Sequence, residues 1–264
     1  MTAAALSPPT KKSDLALRSV TGIVLIGIAV FCLVYGGDPF WVLLSGATLV
    51  MMAEWASLIG AERWQMWLGF VGLMLPMFLS EPHVDVPETA SWYGLLAAAL
   101  GVFAFTRNPK LVAGMLYAAL PTLSLFYIHK QYDGIDLSFW ALAIVWATDI
   151  GAYFAGRSIG GPKLAPVWSP NKTWAGLIGG MVAAIAVGFA LTLVLHVQLR
   201  LAAFAGLLAV AAQTGDLFES MMKRRAGVKD SGWMLPGHGG VMDRLDGAVP
   251  VLCIVALIVA SGIL

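Results

Sequence analysis

From Ser19 to Leu264 the chain is a near-continuous succession of apolar stretches, each bounded by charge or by clusters of Gly and Pro. A helix needs about 20 residues, with a range of roughly 17 to 25, to cross the hydrocarbon core of a bilayer. The stretches run from Ser19 to Tyr35, Phe40 to Ile59, Trp64 to Leu79, Trp92 to Thr106, Leu111 to Ile128, Leu137 to Gly156, Thr173 to Val197, Leu201 to Met222 and Ala248 to Leu264. The third and fourth are short enough to be tilted or re-entrant. Apolar residues make up 59% of the chain and charged residues 12%, about half the roughly 25% charge usual in soluble proteins. So few charges cannot cover a soluble domain, and so much apolar matter excludes a disordered chain. The expected fold is all-α: a polytopic integral membrane helical bundle of about nine transmembrane helices.

Charge placement supports this count. With the N-terminus in the cytoplasm, all of the 16 Lys and Arg except Lys130 and Arg200 fall on the inner side, as the positive-inside rule asks. Losing one early span would throw the later basic loops outside. The chain then divides into a cytoplasmic tail (1–18), N-terminal helices that read as scaffold (19–136), and a C-terminal region (137–264) whose cytoplasmic loops, 157–172 and 223–247, are long enough to build a site. Val34-Tyr35-Gly36-Gly37-Asp38-Pro39 is a poor small-residue cleavage site, so the first stretch reads as an uncleaved span. Cys32 and Cys253 lie in apolar runs and read as small hydrophobes, not as a disulfide or a metal site. Net charge +1 carries no nucleic-acid signature. Glu54, in the second stretch, reads as an acid near the inner end that reaches the interface.

Acids inside membrane spans are costly and point to function. Asp149 lies in the sixth stretch, Asp216 and Glu219 in the eighth, and Asp243 and Asp246 just before the ninth, all toward the inner face. Gln213, Asp216 and Ser220 fall at i, i+3 and i+7, one stripe of a helix. Asp243 and Asp246, at i and i+3, are expected to point the same way. Paired hard oxygens suit Mg²⁺, which accepts phosphate oxygens as remaining ligands. Against this stand two simpler readings: a helix cap for Asp243 and Asp246, and an i, i+4 ion pair of Glu219 with Lys223. Lys172, after Ser169-Pro170-Asn171, and the run Lys223-Arg224-Arg225 with Lys229 are interleaved with these acids. Glycines in Pro236-Gly237-His238-Gly239-Gly240 allow backbone N–H groups to approach phosphate. His238 reads either as a phosphate donor or as a local hydrogen-bonding residue.

From Ser220 the chain reads Ser-Met-Met-Lys-Arg, four further residues, then Lys-Asp-Ser-Gly-Trp-Met-Leu-Pro-Gly-His-Gly-Gly-Val-Met-Asp-Arg-Leu-Asp, ending at Asp246. This resembles the signature of phosphatidate cytidylyltransferases, also called CDP-diacylglycerol synthases. Gln213 to Glu219, Asp149-Ile150-Gly151-Ala152-Tyr153 and Ser169-Pro170-Asn171-Lys172-Thr173-Trp174 are similar to that family too. The chain departs from it at Asn171, where Lys is usual, and at Ala175, where an acid is usual; Ala175 can neither ligate a metal nor accept a hydrogen bond from its side chain.

The resemblance implies transfer of cytidylyl from CTP to phosphatidate in the cell inner (plasma) membrane, with Mg²⁺ and a second monovalent or divalent cation as cofactors. It implies metal roles for Asp216, Asp243 and Asp246, and catalytic roles for these with Lys223 and Arg224. Ser169, Lys172, Thr173, Lys229, His238, Gly239, Gly240 and Arg244 would bind phosphates, supported by Asp149, Gln213, Glu219 and Ser220. Two other classes compete. A cation-coupled transporter would place its acids at the midplane of inverted repeats, which are not visible. A CDP-lipid alcohol phosphotransferase would need Ala-Arg soon after Asp246-Gly247, where Ala-Val-Pro stands. Gly176 and Gly180 read as close internal packing, with a homodimer face as the alternative.

Overall fold

The computed structural model describes residues 11–234 and 239–262. Nine helices of 13 residues or more form the described bundle: α1 (Lys11–Tyr35), α2 (Gly37–Leu58), α3 (Arg63–Leu79), α4 (Thr89–Thr106), α5 (Pro109–His129), α6 (Gly134–Ile159), α7 (Trp174–Thr192), α9 (Ala205–Arg225) and α11 (Ala248–Ala260). Two single turns, α8 (Leu199–Ala202) and α10 (Met242–Leu245), complete the helices. Each apolar stretch read from the sequence overlaps one long helix, the eighth beginning in α8 and the ninth running beyond the described residues. Five of them, α2, α4, α5, α6 and α7, are long and apolar enough to cross a membrane. The α9 helix is less apolar, because Gln213, Asp216 and Glu219 lie within it and Lys223, Arg224 and Arg225 form its last turn. Bulky side chains such as Val71, Phe105, Ile178, Val182 and Phe189 face outward, the surface that lipid would cover.

Local sequence sets the breaks. Gly36, at φ 69°, lets the chain turn between α1 and α2. Asn108 starts α5 by accepting the N–H groups of Lys110 and Leu111 at 3.1 and 3.2 Å, with Pro109 as first helical residue. The α5 helix runs through the middle, with α2, α3, α4 and α11 around it.

The α6 and α7 helices share the closest seam. A methyl group on Gly176 would lie 3.0 Å from the Ala152 carbonyl, and one on Gly180 would lie 2.9 Å from that of Thr148. The Gly-x-x-x-Gly pair is therefore spent on internal packing against α6, where small residues let backbones meet. Trp140 is fully buried beside this seam and donates its Nε1–H to the Gly188 carbonyl at 3.0 Å.

Part of what reads as loop is ordered. Between α6 and α7, β1 (Lys163–Ala165) and β2 (Ser169–Thr173) pair antiparallel, with Lys163 opposite Thr173 and Ala165 opposite Ser169. This hairpin marks the end of the bundle where the polar residues gather.

Candidate active site

Four segments meet at the hairpin end: the later turns of α6, strand β2, the later turns of α9, and the loop with α10 that follows it. The α6–α7 seam fixes β2, because Thr173 both ends the strand and caps α7. Its Oγ1 accepts the Gly176 N–H at 3.0 Å. Thr173 is buried, so the residue read as a phosphate contact serves as a helix cap. One residue earlier, Lys172 reaches across to α9. Its Nζ donates to Gln213 Oε1 at 2.9 Å and pairs with the Asp216 carboxylate. Ser220 Oγ donates to the other Asp216 oxygen at 3.3 Å. The expected stripe of Gln213, Asp216 and Ser220 is thus present, and Lys172 lies along it.

Asp149 on α6 and Asp246, between α10 and α11, lie within electrostatic reach of Asp216. The Asp246 carboxyl is pushed up to about 7, by burial first and then by the Asp216 charge; the Gly247 N–H, at 2.7 Å, and Lys172 act in the opposite direction. Three acids thus stand close with few cations among them. A surplus of neighbouring carboxylates is the donor chemistry of a hard divalent cation. Asp216 and Asp246, with Asp149 beside them, are the candidates for holding one.

Asp243 does not turn toward this group. Its carboxylate accepts Lys223 Nζ at 2.5 Å, the Gly240 N–H at 2.7 Å and the Ser231 N–H at 3.0 Å. Burial would raise its pKa, but the Lys223 and Gly240 hydrogen bonds outweigh burial and hold the carboxyl below its usual range. The spacing put Asp243 and Asp246 on one side; the structure sends them to different partners. The α10 turn is only 4 residues long, and Asp243 reaches back to the N–H three residues before it, as a capping side chain does.

Lys223 is shared between Asp243 and Glu219, the latter at 2.6 Å, so the i, i+4 pair is present. The ammonium expected to take a catalytic role is already held by two carboxylates, and the side chain is 13% exposed. Arg224 donates to the Val228 carbonyl at 3.1 Å, while Arg224, Lys229 and Arg244 all stand exposed at this end. Ser169 is half-buried on β2. Gly239 takes φ 80° and Gly240 spends its N–H on Asp243. His238 lies outside the described residues. Between the end of α2 and the loop after α9 opens a cleft of about 550 Å³, lined in part by Ser57, Ile59, Asp230, Ser231 and Trp233. Among the described residues, the one group of three or more acid, His or Cys side chains whose ligand atoms all lie within 4.8 Å of one another is Asp38, Glu81 and His83. They sit near the start of α2 and after α3, and include none of the expected ligands.

Glu54 corrects the sequence reading. It does not reach for the interface; it is 6% exposed. Its carboxylate accepts the Met242 N–H at 2.8 Å, the Val241 N–H at 2.9 Å and the Ser231 hydroxyl at 3.1 Å. The only sequence signal was an acid inside an apolar run; its partners lie 177 to 188 residues away.

A model of the cytidylyltransferase family matches residues 16–261. The chain belongs to the cytidylyltransferase family. It is 36% identical over 260 residues to the phosphatidate cytidylyltransferase of Brucella suis biovar 1 (strain 1330), covering 93% of each chain. It is 31% identical over 252 residues to that of Staphylococcus aureus (strain COL), covering 89% of this chain and 95% of the relative. A third relative, from Haemophilus influenzae, is 39% identical over 170 residues, 62% of this chain and 58% of its own length. The match to the whole cytidylyltransferase family spans α2 and the scaffold helices as well as the polar end.

Proposed function

We propose that this chain transfers the cytidylyl group of CTP to phosphatidate, giving CDP-diacylglycerol and pyrophosphate for phospholipid biosynthesis. The observation that carries the reading is the Lys172–Gln213–Asp216 stripe, with Asp149 and Asp246 beside it, inside an apolar bundle of a cytidylyltransferase. Nucleotide is water-borne and phosphatidate is lipid, so both substrates meet only at an interface end of such a bundle.

In the reaction an oxygen of the phosphatidate phosphate attacks the α-phosphorus of CTP. The bond from that phosphorus to the bridging oxygen of the β-phosphate breaks, and pyrophosphate leaves. A phosphate monoester is largely ionised near neutral pH, so the chain need not supply a strong base. Its task is to bring two anions together. A divalent cation, held by Asp216 and Asp246 with Asp149 in support, would withdraw charge from the phosphate oxygens. Lys172 is placed to exchange its Asp216 partner for a phosphate oxygen. Arg224, Lys229 and Arg244 screen the approaching charge, and the Ser169 hydroxyl and the segment of His238 and Gly239 are further phosphate contacts. Lys223 and Asp243 act less directly, by fixing the loop that carries Gly239 and Gly240. A second cation would draw on the same carboxylates.

Purified protein in detergent is expected to form CDP-diacylglycerol from CTP and phosphatidate, and to stop when divalent cations are chelated. Product formed without phosphatidate would remove the substrate assignment; full activity in excess chelator would remove the metal.

We further propose nine crossings in the inner membrane, with the N-terminus and the hairpin end in the cytoplasm. Lys229 and Asp85 are both exposed. With Cys32 and Cys253 replaced by Ala, a cysteine at position 229 is expected to be labelled only from the cytoplasmic side, and one at position 85 only from outside. Reversed labelling would overturn this orientation.

A further inference from the structure

We infer that Glu54 is a positioning residue for the reaction proposed above, holding the Ser231–Met242 loop against α2 so that Asp243, Lys223 and the glycines keep their places beside the Asp216 cluster. This rests on that reading of the activity. It makes a working part of an N-terminal half that reads as scaffold.

A carboxylate in an apolar bundle is costly unless hydrogen bonds replace its water. Glu54 has such replacement from one source alone among the bonds seen here, the loop. One oxygen takes the Val241 N–H; the other takes the Met242 N–H and the Ser231 hydroxyl. These donors come from the two ends of the loop, so one side chain fixes both its departure and its return. Ser231 completes the link. Its hydroxyl goes to Glu54 while its N–H goes to Asp243, which ties the clamp to Lys223 and α9.

The loop is shaped around this carboxylate. A methyl group on Gly232 would come 2.5 Å from Glu54 Oε1, and one on Gly240 would come 2.6 Å from both carboxylate oxygens. Real side chains cannot approach so closely. Both positions lie within the family signature; at Gly232 the space belongs to Glu54, and at Gly240 it is shared by Glu54 and the nearer Ser231 hydroxyl that Glu54 holds.

The other side of the clamp is rigid. Trp55, the next residue, donates its Nε1–H to the Lys110 carbonyl at 2.9 Å and packs against Tyr117 of α5 and Phe218 of α9, at ring distances of 5.1 and 6.2 Å. Met242 is fully buried with Met51 and Trp55. A device meant only to attach the loop would need no charge, since apolar packing serves as well as a buried polar contact. Three directed bonds add a fixed orientation.

The test is Glu54→Gln. The amide has one acceptor oxygen, and its NH₂ would face the N–H of Val241 or of Met242, donor against donor. We expect turnover per assembled molecule to fall roughly 10- to 30-fold, the size of one charge-assisted bond lost and one donor left unpaired. The loss should fall on kcat, with the KM for phosphatidate and the amount of assembled protein unchanged. Amide hydrogen exchange at Val241 and Met242, measured without substrates, should quicken about tenfold or more. Wild-type turnover and exchange in this variant would overturn the inference, as would a loss of activity matched by an equal loss of assembled protein in which exchange is unchanged. If Glu54→Gln does not assemble, Ser231→Ala decides. It removes one of the three donors from a loop, should assemble normally and should lose about 3- to 5-fold in kcat; unchanged kcat there would sink the clamp. Should the unaltered protein make no CDP-diacylglycerol, the proposed activity fails by itself, while the exchange measurement still judges the clamp.

Discussion

Asp216→Asn is expected to lower turnover about 100- to 1,000-fold, the scale of removing one strong electrostatic stabiliser, with the assembled protein unchanged in amount. Asp216 stands at the centre of the polar end. Lys172 and Ser220 both hold it, and the charges of Asp149 and Asp246 both reach it. Asparagine has nearly the same shape and can still accept from Ser220. What it cannot do is supply the negative charge that a hard cation needs. It also releases Lys172 from its pair, so a loss of activity despite one more free cation would point to the metal and not to phosphate screening. The half-saturating Mg²⁺ concentration should rise in parallel. Asp85→Asn, on an exposed loop after α3, serves as the control and should be silent. Normal turnover with Asp216→Asn would remove Asp216 from the site.

Much of this was legible in the sequence, and the reason is periodicity. The apolar runs placed the helices, and i, i+3, i+7 spacing on α9 placed Gln213, Asp216 and Ser220 on one stripe. The Glu219–Lys223 pair followed from i, i+4. All of these depend on a single regular element. What failed depended on irregular backbone. Asp243 and Asp246 were expected to point together because a helix was assumed, yet α10 is one turn and Asp243 folds back onto Gly240. The resemblance gives Thr173 as a phosphate contact, and a place in a motif does not show the turn into α7 that uses its hydroxyl as a cap. The hairpin of 163–173 escaped notice because a strand of 3 residues has too few alternations to show a period. Glu54 was visible as an oddity, but nothing near it in sequence could name its partners.

Asp243→Asn should lose about 100-fold in turnover, and the structure gives a physical reason that the spacing did not. Both carboxylate oxygens are engaged: Oδ1 by Lys223 at 2.5 Å, and Oδ2 by the N–H groups of Gly240 at 2.7 Å and Ser231 at 3.0 Å. Asparagine must place its NH₂ in one of these positions. There it meets either an ammonium or two backbone N–H groups, so neither orientation is satisfied. A simple cap would tolerate the change, because Asn caps a helix about as well as Asp; the Lys223 pair is what makes the charge necessary. Two roles predict different companions to the loss. If Asp243 is a direct metal ligand, half-saturating Mg²⁺ should rise as it does for Asp216→Asn. If it organises the loop, Mg²⁺ dependence should stay near normal while amide exchange at Ser231 and Gly240 quickens. The geometry favours the second outcome, since no oxygen of Asp243 is without a protein donor. Near-normal turnover with slow exchange at both amides would refute both roles and leave Asp243 as a cap alone.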